Sequence, residues 1–306
     1  MDKPLVTVSI ITYNSARTII ETLDSIFIQT YPNIELVISD DCSRDDTVAI
    51  CKRWLNTHLS RFENCRLIES NHNTGITANC NRAISAIKGE YLKLLAGDDL
   101  LEPEAISEYV SFLQNTPEAI YVFCKVLAFG SDQKKIDLFT DSVIDYSFFS
   151  LTREEQYKRL IGHWCSSIPA PSAFVNVKAA INSGVFYYDE RIPMLEDWPK
   201  WIELSSKGIK FYFIDKQLVR YRINDNSVST GDNHSDSYRR SIALLYRYYQ
   251  FKPTIRLFGI RRAITLYIKK NAAANKGAFW RGLDSLANRT IHFRNELQEK
   301  RRCQPQ

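Results

Sequence analysis

Along the first 125 residues, runs of β-branched and aliphatic residues alternate with stretches whose apolar positions recur at helical spacing. VTVSIITYN reads as a strand ending at Asn14, followed by a helix from Ser15 as N-cap to about Gln29. TYPN turns the chain into a second strand, IELVISD, and after the polar turn DCSRDD a second amphipathic helix runs through Trp54. A third strand at CRLIES, a helix from about Ile76 to Ile87 and a fourth strand at EYLKLLA complete a βαβαβαβ order. Strands joined by helices in this way run parallel, and a parallel sheet needs cover on both faces, so the expected class is α/β with a doubly wound sheet. Ligands of such sheets sit beyond the carboxyl ends of the strands. The chain places polar residues there: Thr12, Tyr13 and Asn14, then Asp40 and Asp41, then Asp98 and Asp99.

Beyond Ala119 the rhythm changes. The strand-like AIYVFCKVLAF leads into a polar loop of roughly twenty residues from Gly130, long enough to be an expected seat of acceptor specificity. A helix near Arg153 to Ile161, the segment IPAPSAFVN, a helical MLEDWPKWIELSSKG and two strands, IKFYFID and LVRYRI, complete a body of residues 1–235, divided into halves 1–125 and 126–235. Residues 236–306 read as two or three helices rich in Lys and Arg.

With 44% hydrophobic and 25% charged residues, the chain has the apolar content for a sizeable core, which excludes a disordered or fibrous class. Its net charge of +5 conceals an asymmetry: from Arg239 onward 16 Lys and Arg face 3 Asp and Glu, a net +13, whereas the first 238 residues carry −8. Residues 254 to 282 mix Leu, Ile, Phe and Trp280 with Arg and Lys. That suits either an anionic membrane surface or a helical appendage packing its apolar face on the body. No nucleic-acid module is recognisable, and nucleic acid is not an expected partner. The seven cysteines, Cys42, Cys51, Cys65, Cys80, Cys124, Cys165 and Cys303, form no C-x-x-C pair and fit reduced thiols. No signal peptide is evident and no stretch reaches ~18 uncharged apolar residues. The expected location is therefore cytoplasmic, with peripheral contact at the inner face of the cell membrane through the basic helices.

Three acidic motifs carry candidate chemistry. In SDDCSRDDT, Asp40 and Asp41 end a strand whose turn opens a helix. Carboxylates there can accept hydrogen bonds from a nucleobase N–H or ribose hydroxyls; alternatively Ser43, Asp45 and Asp46 form an N-cap cluster that needs no ligand. In LLAGDDLLEPE, Asp98 and Asp99 follow an apolar strand. Mg²⁺ or Mn²⁺ takes oxygen ligands, typically one or two carboxylates plus diphosphate oxygens, and adjacent carboxylates repel unless a cation or a shifted pKa relieves them. A helix cap before Pro103 is the plain alternative. In MLEDWPKW, Glu196 and Asp197 open a helical segment, where acids are expected on dipole grounds, yet a carboxylate across the crevice could also take an acceptor hydroxyl's proton. Most aromatics in a chain of this size are core; Trp198 is the candidate for stacking on a sugar ring at an acceptor site.

Taken together, VSIITYN, QTYPNIELVISDDCSRDDT, NHNTGITANCNRAISAIKGEYLKLLAGDD, EDWPKWIEL and LVRYRINDNSVS follow in the order and approximate spacing of a family 2 glycosyltransferase, which the chain resembles over roughly residues 5 to 229. The resemblance implies the Rossmann-like GT-A fold, a mostly parallel sheet with helices on both faces, to which the composition of residues 236–306 adds a basic helical appendage. It implies inverting transfer of a sugar from a nucleoside-diphosphate donor, a UDP-sugar first, to a saccharide or lipid-linked saccharide acceptor. On its motifs, Tyr13 and Asp41 frame the base, with Thr12, Asn14 and Asp40 nearby. Asp98, assisted by Asp99, holds a divalent Mn²⁺ or Mg²⁺ ion. Asp197 is the catalytic base, Glu196 orients the acceptor or the base, and Asn73, Gly75 and Asn81 serve the donor sugar-phosphate. Three residues depart from the family pattern: Ala96 replaces its first acid, Cys80 a common arginine and Asn224 a frequent histidine. Arg82 points elsewhere on its helix and is no obvious substitute. These departures leave a non-catalytic sugar-nucleotide-binding or scaffold protein as the alternative. A nucleotidyltransferase would need a glycine-rich loop after the first strand, where this chain has TYNSART.

Overall fold

Every residue of the second apolar run and all but one of the first are buried, as the two-sided cover of central parallel strands requires. The computed structural model describes residues 3–142, 145–162, 168–223 and 236–274. Its strands are β1 (Val6–Thr12), β2 (Ile34–Asp40), β3 (Asn64–Glu69), β4 (Tyr91–Ala96), β5 (Leu100–Leu101), β6 (Tyr121–Gly130), β7 (Phe174–Asn176) and β8 (Phe211–Ile223). They form one sheet in the order β3-β2-β1-β4-β7-β6-β8-β5. The block β3-β2-β1-β4 is parallel throughout. Three-residue β7 then runs antiparallel to both β4 and β6, while β6 and β8 pair in parallel, so the sheet is mixed.

The helices are α1 (Ile19–Phe27), α2 (Thr47–His58), α3 (Ile76–Ile84), α4 (Ala105–Asn115), α5 (Gln133–Ser142), α6 (Arg153–Gly162), α7 (Val177–Asn182), α8 (Asp197–Ser206), α9 (Asp236–Leu245), α10 (Phe251–Phe258) and α11 (Ile260–Ala274). Two cores lie against the sheet. One gathers β1, β2, α1 and α4 around residues such as Ile10, Leu23 and Tyr109; the other gathers β6, α6, α8 and α9 around Phe123, Trp201 and Leu245.

Several expectations change. Ser15 does not cap α1; its carbonyl accepts from the amides of Thr18 and Ile19, making a turn before the helix. The polar stretch after Gly130 is no simple loop, because it contains α5 and a 3₁₀ turn over Tyr146–Ser150. IKFYFID and LVRYRI are one strand, β8, whose register against β6 shifts around Lys125. The helices from residue 236 pack on the body: Gln250 Nε2 donates to the Leu160 carbonyl at 3.0 Å and Arg262 to that of Gly162 at 2.7 Å. No helix among the described residues is long and apolar enough to cross a membrane. Trp164, Asn224, Trp280 and the junction at 235 lie outside the described residues.

Candidate functional site

Thr12 of β1 stands opposite Asp40 of β2, and Ile11 opposite Ala96 of β4, so the chain segments after all three strands leave the sheet side by side. Asn14 and Cys42 take the left-handed conformation there (φ 53° and 66°), common for Asn and costly for Cys. Small polar groups lock these exits together. Ser43 Oγ donates to Asp40 and accepts from the Asn14 amide at 2.8 Å, and Asn14 Oδ1 accepts from the Arg44 amide. Asp45 accepts from the Thr47 amide at the start of α2 and from the Ala16 amide. Asp40, almost fully buried, thus spends its carboxylate on the turn. Tyr13, 43% exposed, stands at the mouth, while Thr12 is buried with its carbonyl accepting from the Asp41 amide at 2.9 Å.

Asp41 has a different set of partners. Its carboxylate accepts from the amides of Thr74 and Gly75 at 2.8–3.0 Å and from the Thr74 hydroxyl, and the Arg82 guanidinium lies 3.3 Å away. The expectation for Arg82 is therefore overturned. Helical side chains lean toward the N-terminus of their helix, and Arg82, bonded to Asn79 on the way, reaches back to the Thr74 hydroxyl at 2.7 Å. Gly75 has φ +88°, and a Cβ there would sit 3.1 Å from the Pro193 carbonyl oxygen, so both conformation and space demand glycine. Asn73 is exposed beside this turn.

The adjacent acids after β4 diverge. Asp98 is half-buried, and its carbonyl accepts from Arg222 Nε at 2.9 Å. Asp99 is turned inward, 1% exposed, with Oδ1 accepting from the Arg222 amide and Oδ2 lacking a hydrogen-bond partner among the described residues. Burial first, and the Asp98 charge second, push the Asp99 carboxyl well above the usual carboxylate range. A cation held here would meet Asp98 as the more accessible carboxylate, with Asp99 supporting from beneath. Such a donor set is hard and oxygen-only, as Mg²⁺ or Mn²⁺ prefers, and no group of three His, Cys, Asp or Glu side chains suited to a metal occurs among the described residues. Remaining ligands would have to come from a bound diphosphate. Gly97 is fixed by close approach, since a Cβ would lie 3.0 Å from Thr12 Oγ1.

Glu196 and Asp197 arrive on a loop, residues 185–196, that is seated on α3. Thr77 bonds the carbonyls of Ile192 and Pro193, and Asn81 exchanges bonds with the amide and carbonyl of Tyr188 and reaches Glu190. Asn81 is thus committed to shaping this loop, a correction to its expected place at the donor. Lys200, one helical turn beyond Glu196 on α8, is buried and donates to the carbonyls of Phe186 and Tyr187, with its ammonium 4.5 Å from the Tyr188 ring centre. Its signal in the sequence, an acid and a lysine four apart, reads as an ordinary surface pair. Trp198 is also corrected: it is 3% exposed and its indole donates to the Leu160 carbonyl, so it belongs to the core rather than to a sugar-stacking surface.

Asp41 holds Gly75, Gly75 abuts Pro193, and the two acids follow a few residues later, so the strand-end turn and the carboxylate pair flank the start of α3. Burial, then the neighbouring Asp197 charge, pushes Glu196 up to about 8, and burial pushes Asp197 up to about 6. Because these values exceed those of an unfolded chain, near 4, the native state holds protons more tightly and loses stability as pH rises from about 4 through about 8. Glu196→Gln removes the ionisable group. It should unfold at higher denaturant than the parent at pH 8.5, by roughly 1–2 kcal/mol, with the gap closing toward pH 5 in urea titrations.

Comparison with known proteins identifies the family and the fold. The family model described as "Glycosyl transferase family 2" matches residues 7–180. The Bacillus subtilis protein EpsE is 35% identical over 111 residues, covering 36% of this chain and 39% of EpsE, so the match spans well under half of that relative. The Escherichia coli UDP-Glc:α-D-GlcNAc-diphosphoundecaprenol β-1,3-glucosyltransferase WfaP is 29% identical over 227 residues, covering 74% of this chain and 80% of WfaP. Among solved structures, the Pyrobaculum calidifontis mannosyltransferase PcManGT, in complex with GDP-Man and Mn²⁺, superposes with a TM-score of 0.60 at 18% identity, covering 97% of this chain and 81% of that one. On the family match and the shared architecture, this chain belongs to glycosyl transferase family 2 and is a glycosyltransferase with the GT-A fold.

Proposed function

We propose that this glycosyltransferase moves a sugar, with inversion, from a UDP-sugar to a saccharide or lipid-linked saccharide in cell-surface glycan synthesis. The observation that carries the reading is the Glu196–Asp197 pair, held by the loop that Thr77 and Asn81 seat on α3, beside the turn that Asp41 organises. Burial raises both carboxyls above the usual range, so one of the pair can hold a proton at neutral pH while the other is ionised. Asp197 is ionised and takes the proton of the acceptor hydroxyl; Glu196 stays protonated and donates a hydrogen bond that orients the acceptor. Tyr13 and Asp41 frame the base, with Arg82 supplying the positive charge that Cys80 lacks, which weakens the case for an inactive scaffold. Asp98 is the carboxylate that would hold Mn²⁺ or Mg²⁺, and such an ion would offset the diphosphate charge as the leaving group departs. The donor and acceptor classes are supported by WfaP, whose name specifies UDP-Glc and a diphosphoundecaprenol-linked sugar, and the metal by PcManGT.

A lipid-linked acceptor fits a peripheral membrane position. On α11, Ile260, Ile264 and Tyr267 are spaced along one face and each is about half exposed, and Arg261 and Arg262 lie beside them. An apolar stripe flanked by cations suits an anionic bilayer surface.

Three outcomes test this reading. Asp197→Asn should lower transfer by about 10²–10⁴-fold while UDP-glucose still raises the melting temperature as in the parent; full turnover would remove Asp197 as base. Asp98→Asn should abolish the extra stabilisation that Mn²⁺ adds to UDP binding, read in the same thermal-shift assay. Ile264→Glu should reduce co-flotation with vesicles containing phosphatidylglycerol by severalfold, with no change on neutral phosphatidylcholine vesicles, which the parent should bind weakly.

A further inference from the structure

The loop that carries the two acids is gripped from its outer side by the C-terminal helices. Ser241 of α9 is fully buried and its hydroxyl accepts from the Met194 amide at 3.2 Å. Tyr249, in the turn after α9, donates its hydroxyl to Asp189 at 2.8 Å. Leu245, one turn beyond Ser241, is buried in the same core as Trp198 and Trp201. Tyr238 lies one turn before Ser241 and therefore on the same face of α9, half-buried against that core. That register directs it at the loop just past Met194, where Glu196 and Asp197 stand.

Electrostatics agrees with the register. The Tyr238 phenol is pushed up to about 12 by burial and then by the charges of Asp197 and Glu196, so both acids act on it. The titratable groups around the pair come from four elements: Cys80 on α3, Tyr188 on the loop, Lys200 on α8 and Tyr238 on α9. Cys80 and Tyr188 are neutral at physiological pH, and Lys200 gives its ammonium hydrogens to backbone carbonyls.

We propose that Tyr238 is a positioning residue of the transfer site, its phenol facing Glu196 and Asp197 across the seam that Ser241 closes and favouring the ionised base. The inference rests on Asp197 acting as that base. It also assigns the C-terminal helices a part in catalysis, although the family match ends at residue 180. A hydroxyl dipole aimed at a carboxylate favours its charged form. Removing the hydroxyl should therefore raise the pH at which the base ionises.

The test uses the full chain, with UDP release from UDP-glucose in the presence of Mn²⁺ measured from pH 5 to 9. Tyr238→Phe, which keeps the ring and its packing, should lower kcat about tenfold at pH 7, leave the donor KM within about twofold, and move the acidic limb of the profile upward. Melting temperature against pH reads the same pair without turnover: the loss of stability on raising the pH should shift to higher pH in Tyr238→Phe. If Asp197→Asn is inactive while Tyr238→Phe matches the parent in rate, profile and melting curve, the inference is overturned and the base stands. If Asp197→Asn retains full turnover, the base assignment falls and the role of Tyr238 falls with it.

Discussion

The Asp41 carboxylate, almost fully enclosed, accepts hydrogen bonds from two successive backbone amides, and the turn it organises abuts the distant loop at Pro193. A charged acceptor meeting aligned amides is among the stronger non-covalent ties in a protein. It fixes the entry to α3, and α3 in turn seats the loop bearing Glu196 and Asp197. The parallel strands bring Asp41 beside Thr12, whose strand in turn pairs with β4, so the Asp41 turn and the exit of β4 flank the end of β1.

Much of this was readable from the chain. Central parallel strands are buried on both faces, and β1, β2 and β4 announce themselves as runs rich in β-branched and aliphatic residues, with acids where β2 stops and just after β4. The family motifs add the order in which those acids recur. Unreadable were features set by distant partners. β7 is three residues long, too short for any periodicity, yet it sets an antiparallel strand between β4 and β6. Trp198 beside two acids suggests a sugar platform, but a step of one residue along a helix turns a side chain by ~100°, and here that step carries it from the crevice into the core. Asn81 looks like a donor ligand by position, whereas its amide serves the backbone of a segment more than a hundred residues away. Nothing local marks Arg82 or Tyr238, whose significance comes from what folds against them.

The crevice concentrates buried ionisable groups. Asp99, Glu196 and Lys200 are each moved toward their neutral forms by burial, and a site assembled this way is held together at some expense of native stability. The surrounding packing supplies the compensation: aromatic rings of Tyr121, Phe123, Trp201 and Phe211 meet edge to face behind α8.

The way the loop is held on α3 and α8 has an evolutionary corollary. Thr77 and Lys200 grip the main-chain carbonyls of residues 186, 187, 192 and 193, and Asn81 grips both main-chain groups of Tyr188. A path written in peptide groups survives replacement of the side chains that hang from it. Outward positions such as Tyr187, which is 55% exposed, can therefore diversify among descendants of this gene while the path of the loop is inherited intact.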